Sequence, residues 1–200
     1  MPDSTAFYSQ PAGFTSPGSH AGALARLPAD LAALTEVAHG LIVHEHLTGM
    51  YGFDLAEARR ASVHLRPVSR LLDQIVAEDG RPLDVAREPS ARVPGNCRHF
   101  TVLTVAALRA HGIAARARCG FGGYFGTGWY EDHWVCEYRD AATGRWTLAD
   151  AQIALFDQLA VLTTGPDAGF AELTARYRAD PRLTVPATVY NGVLNRVDQV

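Results

Sequence analysis

Apolar residues recur at positions 31, 34, 37, 38, 41 and 42, the three-and-four spacing that turns one face of a helix toward a core. Asp30 stands just before this run, where a side-chain oxygen can take a free backbone N–H, so it is the expected N-cap. The stretch "DLAEARRASVHLRPVSRLLDQIVAEDG" continues the helical pattern and is broken at Pro67. Residues 81–95, "RPLDVAREPSARVPG", are rich in Pro and Arg and read as a loop. From Cys97 to about His111, residues Phe100, Leu103, Val105, Ala107 and Leu108 suit a largely buried helix, and Gly112 is well placed to end it.

Beyond Gly112 the period shortens to two. "IAARARCGF" alternates small apolar residues with arginine, as a half-buried strand does. "HWVCEYRD" is a second strand candidate, and Thr143-Gly144 marks a hairpin turn into a third, "RWTLADAQI". Helix-like segments near 153–162 and 168–178 follow. At the other end, residues 1–22 are rich in Pro, Gly and Ser and read as an extended N-terminal arm. Helices, then a helix opened by Cys97, then an antiparallel meander, then C-terminal helices make an α+β chain, with residues 23–200 as one domain.

Composition narrows the function. A chain that is 48% hydrophobic and 20% charged is long enough to bury a core without disulfides or metals. A net charge of −3 gives no footprint for nucleic acid or an anionic membrane, and no apolar run is long enough to span a bilayer. The first residues have no basic n-region or apolar h-region, and three cysteines without CxxC spacing do not form a disulfide framework. These features predict a cytoplasmic protein with reduced thiols. The absence of lysine, with all 18 basic residues arginine, suggests a GC-rich bacterial genome.

One cysteine stands where chemistry would need it. In "RVPGNCRHFTVLTVAALRAHGI", Cys97 falls where a Pro-Gly-Asn turn gives way to a helix, so the helix dipole would favour its thiolate. Its backbone N–H, near the helix start, could serve an oxyanion. A thiol nucleophile next needs a base, and the base an orienting acceptor. His133 opens one predicted strand, and Asp150 closes the next across the Thr143-Gly144 hairpin. Antiparallel pairing brings such positions together. Asp132 adjoins His133 but should point to the opposite sheet face, which leaves Asp150 as the orienter.

"GNCRHFTVLTVAALRAHGIAARARCGF", "DHWVCEY" and "RWTLADAQ" together resemble the transglutaminase-like superfamily of papain-type cysteine enzymes, over roughly residues 92–153. Cys97, His133 and Asp150 match that family's nucleophile, base and acid one by one. The resemblance implies a nucleophile helix packed on an antiparallel sheet, with extra N- and C-terminal helices. It also implies attack on an amide or thioester carbonyl, giving an acyl-enzyme that an amine or water resolves. The expected protein is a small cysteine acyltransferase joining an acyl group, from a small-molecule or carrier-linked donor, to a small amine in bacterial metabolism. A hydrolase with the same triad and a non-catalytic binding module are the alternatives. No cofactor, metal, nucleic acid or membrane partner is expected. Cross-linking members use an upstream aromatic N–H in the oxyanion hole, whereas Trp129, Trp134 and Trp146 all follow Cys97. A second oxyanion donor therefore has no obvious source.

Other residues carry weaker expectations. Tyr124, Trp129 and Tyr130, in the glycine-rich "GFGGYFGTGWYEDH", could form a substrate-contacting rim, joined by Trp134 and His99. For His99, two residues past Cys97 and on another helix face, packing is the stronger reading. Cys119 and Cys136 read as core residues of the strands. His44 and His46, read as helical, would lie roughly 200° apart and could not easily share a metal ion, so packing or a substrate-facing role is expected there.

Overall fold

The computed structural model describes residues 4–122 and 131–152. Its helices are α1 (Ser4–Tyr8), α2 (Ala21–Leu24), α3 (Leu31–Leu41), α4 (Val68–Glu78) and α5 (Cys97–Ala110). Its strands are β1 (Ile42–His44), β2 (Val93–Gly95), β3 (Ala115–Gly122), β4 (Glu131–Arg139) and β5 (Trp146–Ala149). The architecture is α+β, with a three-stranded antiparallel sheet in the order β3-β4-β5 and a separate parallel pair β1-β2. The expected C-terminal helices lie outside the described residues.

Helix α5 is the centre of the core. Phe100, Leu103, Val105, Ala106, Ala107 and Leu108 are all buried, and even Thr101 and Thr104 are shielded on its remaining faces. A helix covered all round is one packed on every side, here by α3, α4 and the antiparallel sheet. Each buried Leu, Val or Phe contributes about 1.5–3 kcal/mol of transfer free energy. The helix ends where expected: Gly112, at φ 71°, takes the left-handed conformation that other residues avoid, and its N–H donates to the Arg109 carbonyl at 2.9 Å. Asp30 caps α3, its Oδ1 accepting the Ala33 N–H at 2.9 Å.

Three expectations are corrected. Residues 4–22 are not extended: they form α1, two 3₁₀ turns at Gly13–Thr15 and Gly18–His20, and the start of α2. The buried Arg109 holds this segment down, Nη1 donating to Thr15 Oγ1 at 2.8 Å and Nε to the Ala115 carbonyl at 2.8 Å. Tyr8 stacks edge-on against Trp146, with the Arg116 guanidinium 4.4 Å from the Trp146 ring centroid. Docking supplies the partners that a solvated arm would lack, and so overrides the Pro/Gly composition.

The second correction is that α3 stops at Leu41, and Ile42–His44 is strand. The third is that residues 81–95 are not all loop, because Val93–Gly95 pairs in parallel with β1. The approach to Cys97 thus runs along a strand. Pro67 does break the helical run as expected, but the segment before it is a 3₁₀ helix, Glu57–His64, and only α4 beyond it is α-helical.

Candidate active site

Gly95, Asn96 and Cys97 take the chain from β2 into α5. A Cβ on Gly95 would lie 2.9 Å from His99 Cγ and 3.0 Å from Ile42 Cγ2, so only glycine lets β2 pass between β1 and the helix. His99 Nδ1 accepts the Asn96 backbone N–H at 3.1 Å, tying the turn to the first helical turn. With Nδ1 as acceptor, Nε2 carries the ring proton and faces the Ser62 carbonyl at 3.2 Å. Burial, followed by the nearby Arg98 charge, lowers the His99 pKa to about 4, so this ring is neutral at ordinary pH. His99 is therefore a buried clamp on the helix start.

Cys97 is the first residue of α5 and is half-buried. Its backbone N–H has no acceptor within the helix. Arg98 lies beside it, Nη2 held by the Val63 carbonyl at 2.9 Å. The charge of Arg98 interacts with Cys97 and with Glu45.

The antiparallel sheet brings in the other two residues. Cys136 pairs with Ala149 and Glu137 with Leu148. One step further along this register sets Asp150 across from Val135, on the same sheet face as His133 and one diagonal position from it. The side chains meet: His133 Nε2 and Asp150 Oδ2 are 2.5 Å apart and both residues are buried. The Asp150 Oδ1 accepts the Gln152 N–H at 2.9 Å, which fixes the carboxylate. His133 also hydrogen-bonds the Cys97 thiol.

Burial alone would lower the His133 pKa, but the hydrogen bonds to Asp150 and Cys97 and their charges outweigh it and raise the pKa to about 9. The ring therefore rests as imidazolium at neutral pH, beside the sulfur. Thr101 Oγ1 donates to the Trp134 carbonyl at 2.9 Å, which pins β4 to α5 next to His133. Sequence reasoning thus selects three residues that the fold brings together. His133 sits two residues inside β4 rather than at its start.

The remaining candidates divide. Trp134 is half-buried against the core, on the face opposite His133. Tyr124, Trp129 and Tyr130 lie outside the described residues. Cys119 and Cys136 are buried and free; burial, then the Asp132 and Cys97 charges, push Cys119 up to about 12, and burial pushes Cys136 up as well. Cys119 pairs with Trp134 and Cys136 with Ala117, so the two sulfurs are not opposite each other. Their core reading agrees with this placement. Among the described residues no cluster of three or more His, Cys, Asp or Glu side chains could hold a metal ion. No described helix is long and apolar enough to cross a membrane.

The sequence reading gave His44 a packing or substrate-facing role but placed it on a helix. It is on strand β1, not a helix, and it stands opposite Gly95 in the parallel pair, two residues before Cys97. Its ring lies within electrostatic range of His133. The β-branched pair Ile42-Val43 directly before it is the one local sign of a strand that could have revealed this.

Comparison with known proteins agrees with the geometry. Searches of curated proteins and of solved structures find no match. The family model of the transglutaminase-like superfamily matches residues 54–151, beginning well upstream of the blocks that carry the resemblance and including Cys97, His133 and Asp150. A cysteine-headed helix on an antiparallel sheet is thus joined to a family match over the same residues, and the match over residues 54–151 supports the likeness of this core to the transglutaminase-like superfamily.

Proposed function

We propose that this chain is a cysteine acyltransferase, with Cys97 as nucleophile, His133 as proton carrier and Asp150 as the group that orients the imidazole. The observation that carries this reading is the buried chain of hydrogen bonds from Asp150 through His133 to Cys97. Superfamily members are typically cysteine enzymes that transfer or hydrolyse acyl groups.

The thiolate of Cys97 attacks an amide or thioester carbonyl, forming a C–S bond while the carbonyl electron pair moves to oxygen. The Cys97 backbone N–H is positioned to donate to that oxyanion. Collapse re-forms C=O and expels the leaving group, which takes the proton held on His133. Neutral His133 then removes a proton from the incoming amine, which displaces Cys97 by the same steps in reverse. Asp150 holds the proton on Nε2.

A small-molecule or carrier-linked acyl donor and a small amine acceptor are the proposed substrates. Burial of His133 and Asp150 supports a bound acceptor over bulk water. The test is hydroxylamine trapping of the acyl-enzyme. Acyl transfer expects hydroxamate to form faster than free acid, and attachment of the acyl group to Cys97 by mass spectrometry. Free acid alone, at a rate insensitive to hydroxylamine, would make the chain a hydrolase.

A further inference from the structure

An oxyanion in an acyl-transfer site is held by two or more preorganised donors, and the backbone N–H of Cys97 is one. His44 stands on the strand next to the one that leads into Cys97, opposite Gly95 and so two residues from the nucleophile in register, and its ring lies within electrostatic range of His133. Its tautomer is set locally: the His46 backbone N–H donates to His44 Nδ1 at 3.3 Å. A neutral ring that accepts at Nδ1 carries its proton on Nε2. Among the described residues, His44 Nε2–H has no hydrogen-bond partner.

The ring is neutral at ordinary pH. Burial, then the neighbouring His46 and His133, lower its pKa to about 4, while His133 keeps its proton. This split assigns opposite duties to two neighbouring imidazoles. A ring that protonates only in acid makes a poor base at neutral pH but a constant N–H donor. His133, charged and bonded to Cys97, is the proton carrier.

We propose that His44 is the second oxyanion donor, its Nε2–H joining the Cys97 backbone N–H on the carbonyl oxygen of the substrate. The role rests on the acyl-enzyme reading above. It fills the place for which the sequence supplies no upstream tryptophan. As Cys97 Sγ bonds to the carbonyl carbon, the C=O π pair moves onto oxygen between these two donors. It returns when the leaving group departs with the proton from His133. His44 gains and loses no proton in the cycle.

The test separates steps that build an oxyanion from one that does not. The probe for acylation is p-nitrophenyl acetate, read as p-nitrophenolate release above a Cys97→Ala background. The probe for nucleophilicity is iodoacetamide, whose displacement at saturated carbon forms no oxyanion. For His44→Ala we expect acylation to fall by about 10²–10³-fold while alkylation of Cys97 stays within about twofold, which also shows an intact site. His44→Gln, which keeps an N–H donor, should recover at least part of the lost acylation. Equal loss of both reactions, or no loss of acylation, would overturn the assignment. Absence of Cys97-dependent acylation in the unmodified protein would instead remove the acyl-enzyme reading, and the role of His44 with it.

Discussion

His133 and Asp150 meet one diagonal step apart on neighbouring strands, with 2.5 Å between Nε2 and Oδ2. The contact depends on the β4–β5 register: a slip of one residue would send Asp150 to the other face of the sheet.

Asp150→Asn tests this contact directly. The amide cannot hold an imidazolium by charge and does not enforce the proton on Nε2. Acylation of Cys97 by p-nitrophenyl acetate should fall on the order of 10³-fold or more, with the fold retained by circular dichroism. A loss under tenfold would show that Asp150 does not orient the base.

The pH dependence on the alkaline side follows from His133. Its pKa in the folded protein, about 9, lies above the ordinary 6.5. The folded state therefore binds the proton more tightly than the unfolded chain. This stabilisation is complete below about pH 6.5 and is lost as pH rises through about 9. The melting temperature should decline between those values, and His133→Gln should flatten the decline. Equal slopes in the two proteins would argue against the charged pair.

On the acid side the sign reverses. His99 and His44 have folded pKa values of about 4, below 6.5, so the unfolded chain takes up protons first. Stability should fall as pH drops from 6.5 toward 4. Urea denaturation of His99→Gln should show a shallower fall than the unmodified protein, although at neutral pH it is the less stable of the two.

Gly95→Ala probes the crossing of β2 over the start of α5. The added methyl group meets His99 at 2.9 Å and Ile42 at 3.0 Å, both in packed surroundings. A cost of about 1–3 kcal/mol is expected, as a lower urea midpoint at an unchanged slope. Alkylation of Cys97 should slow as well, because the same backbone sets its position.

Arg109→Met tests the anchoring of the N-terminal segment. The thioether fills most of the volume but leaves Thr15 and the Ala115 carbonyl without their buried donor. Destabilisation of about 2–4 kcal/mol is expected, with faster proteolysis before residue 22. Unchanged proteolysis would mean that Tyr8 against Trp146 suffices to hold the segment.

Much of this arrangement was legible in the chain because its causes are local. The period-two runs became β3, β4 and β5; Thr143 and Gly144 became the turn between the last two; Gly112 ended α5. Cys97, His133 and Asp150 could be chosen because a hairpin fixes which positions face each other. By contrast, β1 and β2 are three residues each, and neither run is long enough to show a period. Each is a strand only because the other lies beside it, a condition set far away in sequence. The N-terminal segment misled for a similar reason: its Pro and Gly residues describe a chain in water, whereas Tyr8 and Thr15 find their partners on α5 and the sheet.

The sequence by itself therefore determined the elements with their own period, the order of the three reactive residues and the family to which they point. The tertiary structure decided what arises between distant segments: the β1–β2 pair, the tautomers of His44 and His99, and the proton held on His133. Period and turn chemistry act within a few residues. Burial, strand pairing and the pKa of an imidazole depend on neighbours that only the folded chain supplies.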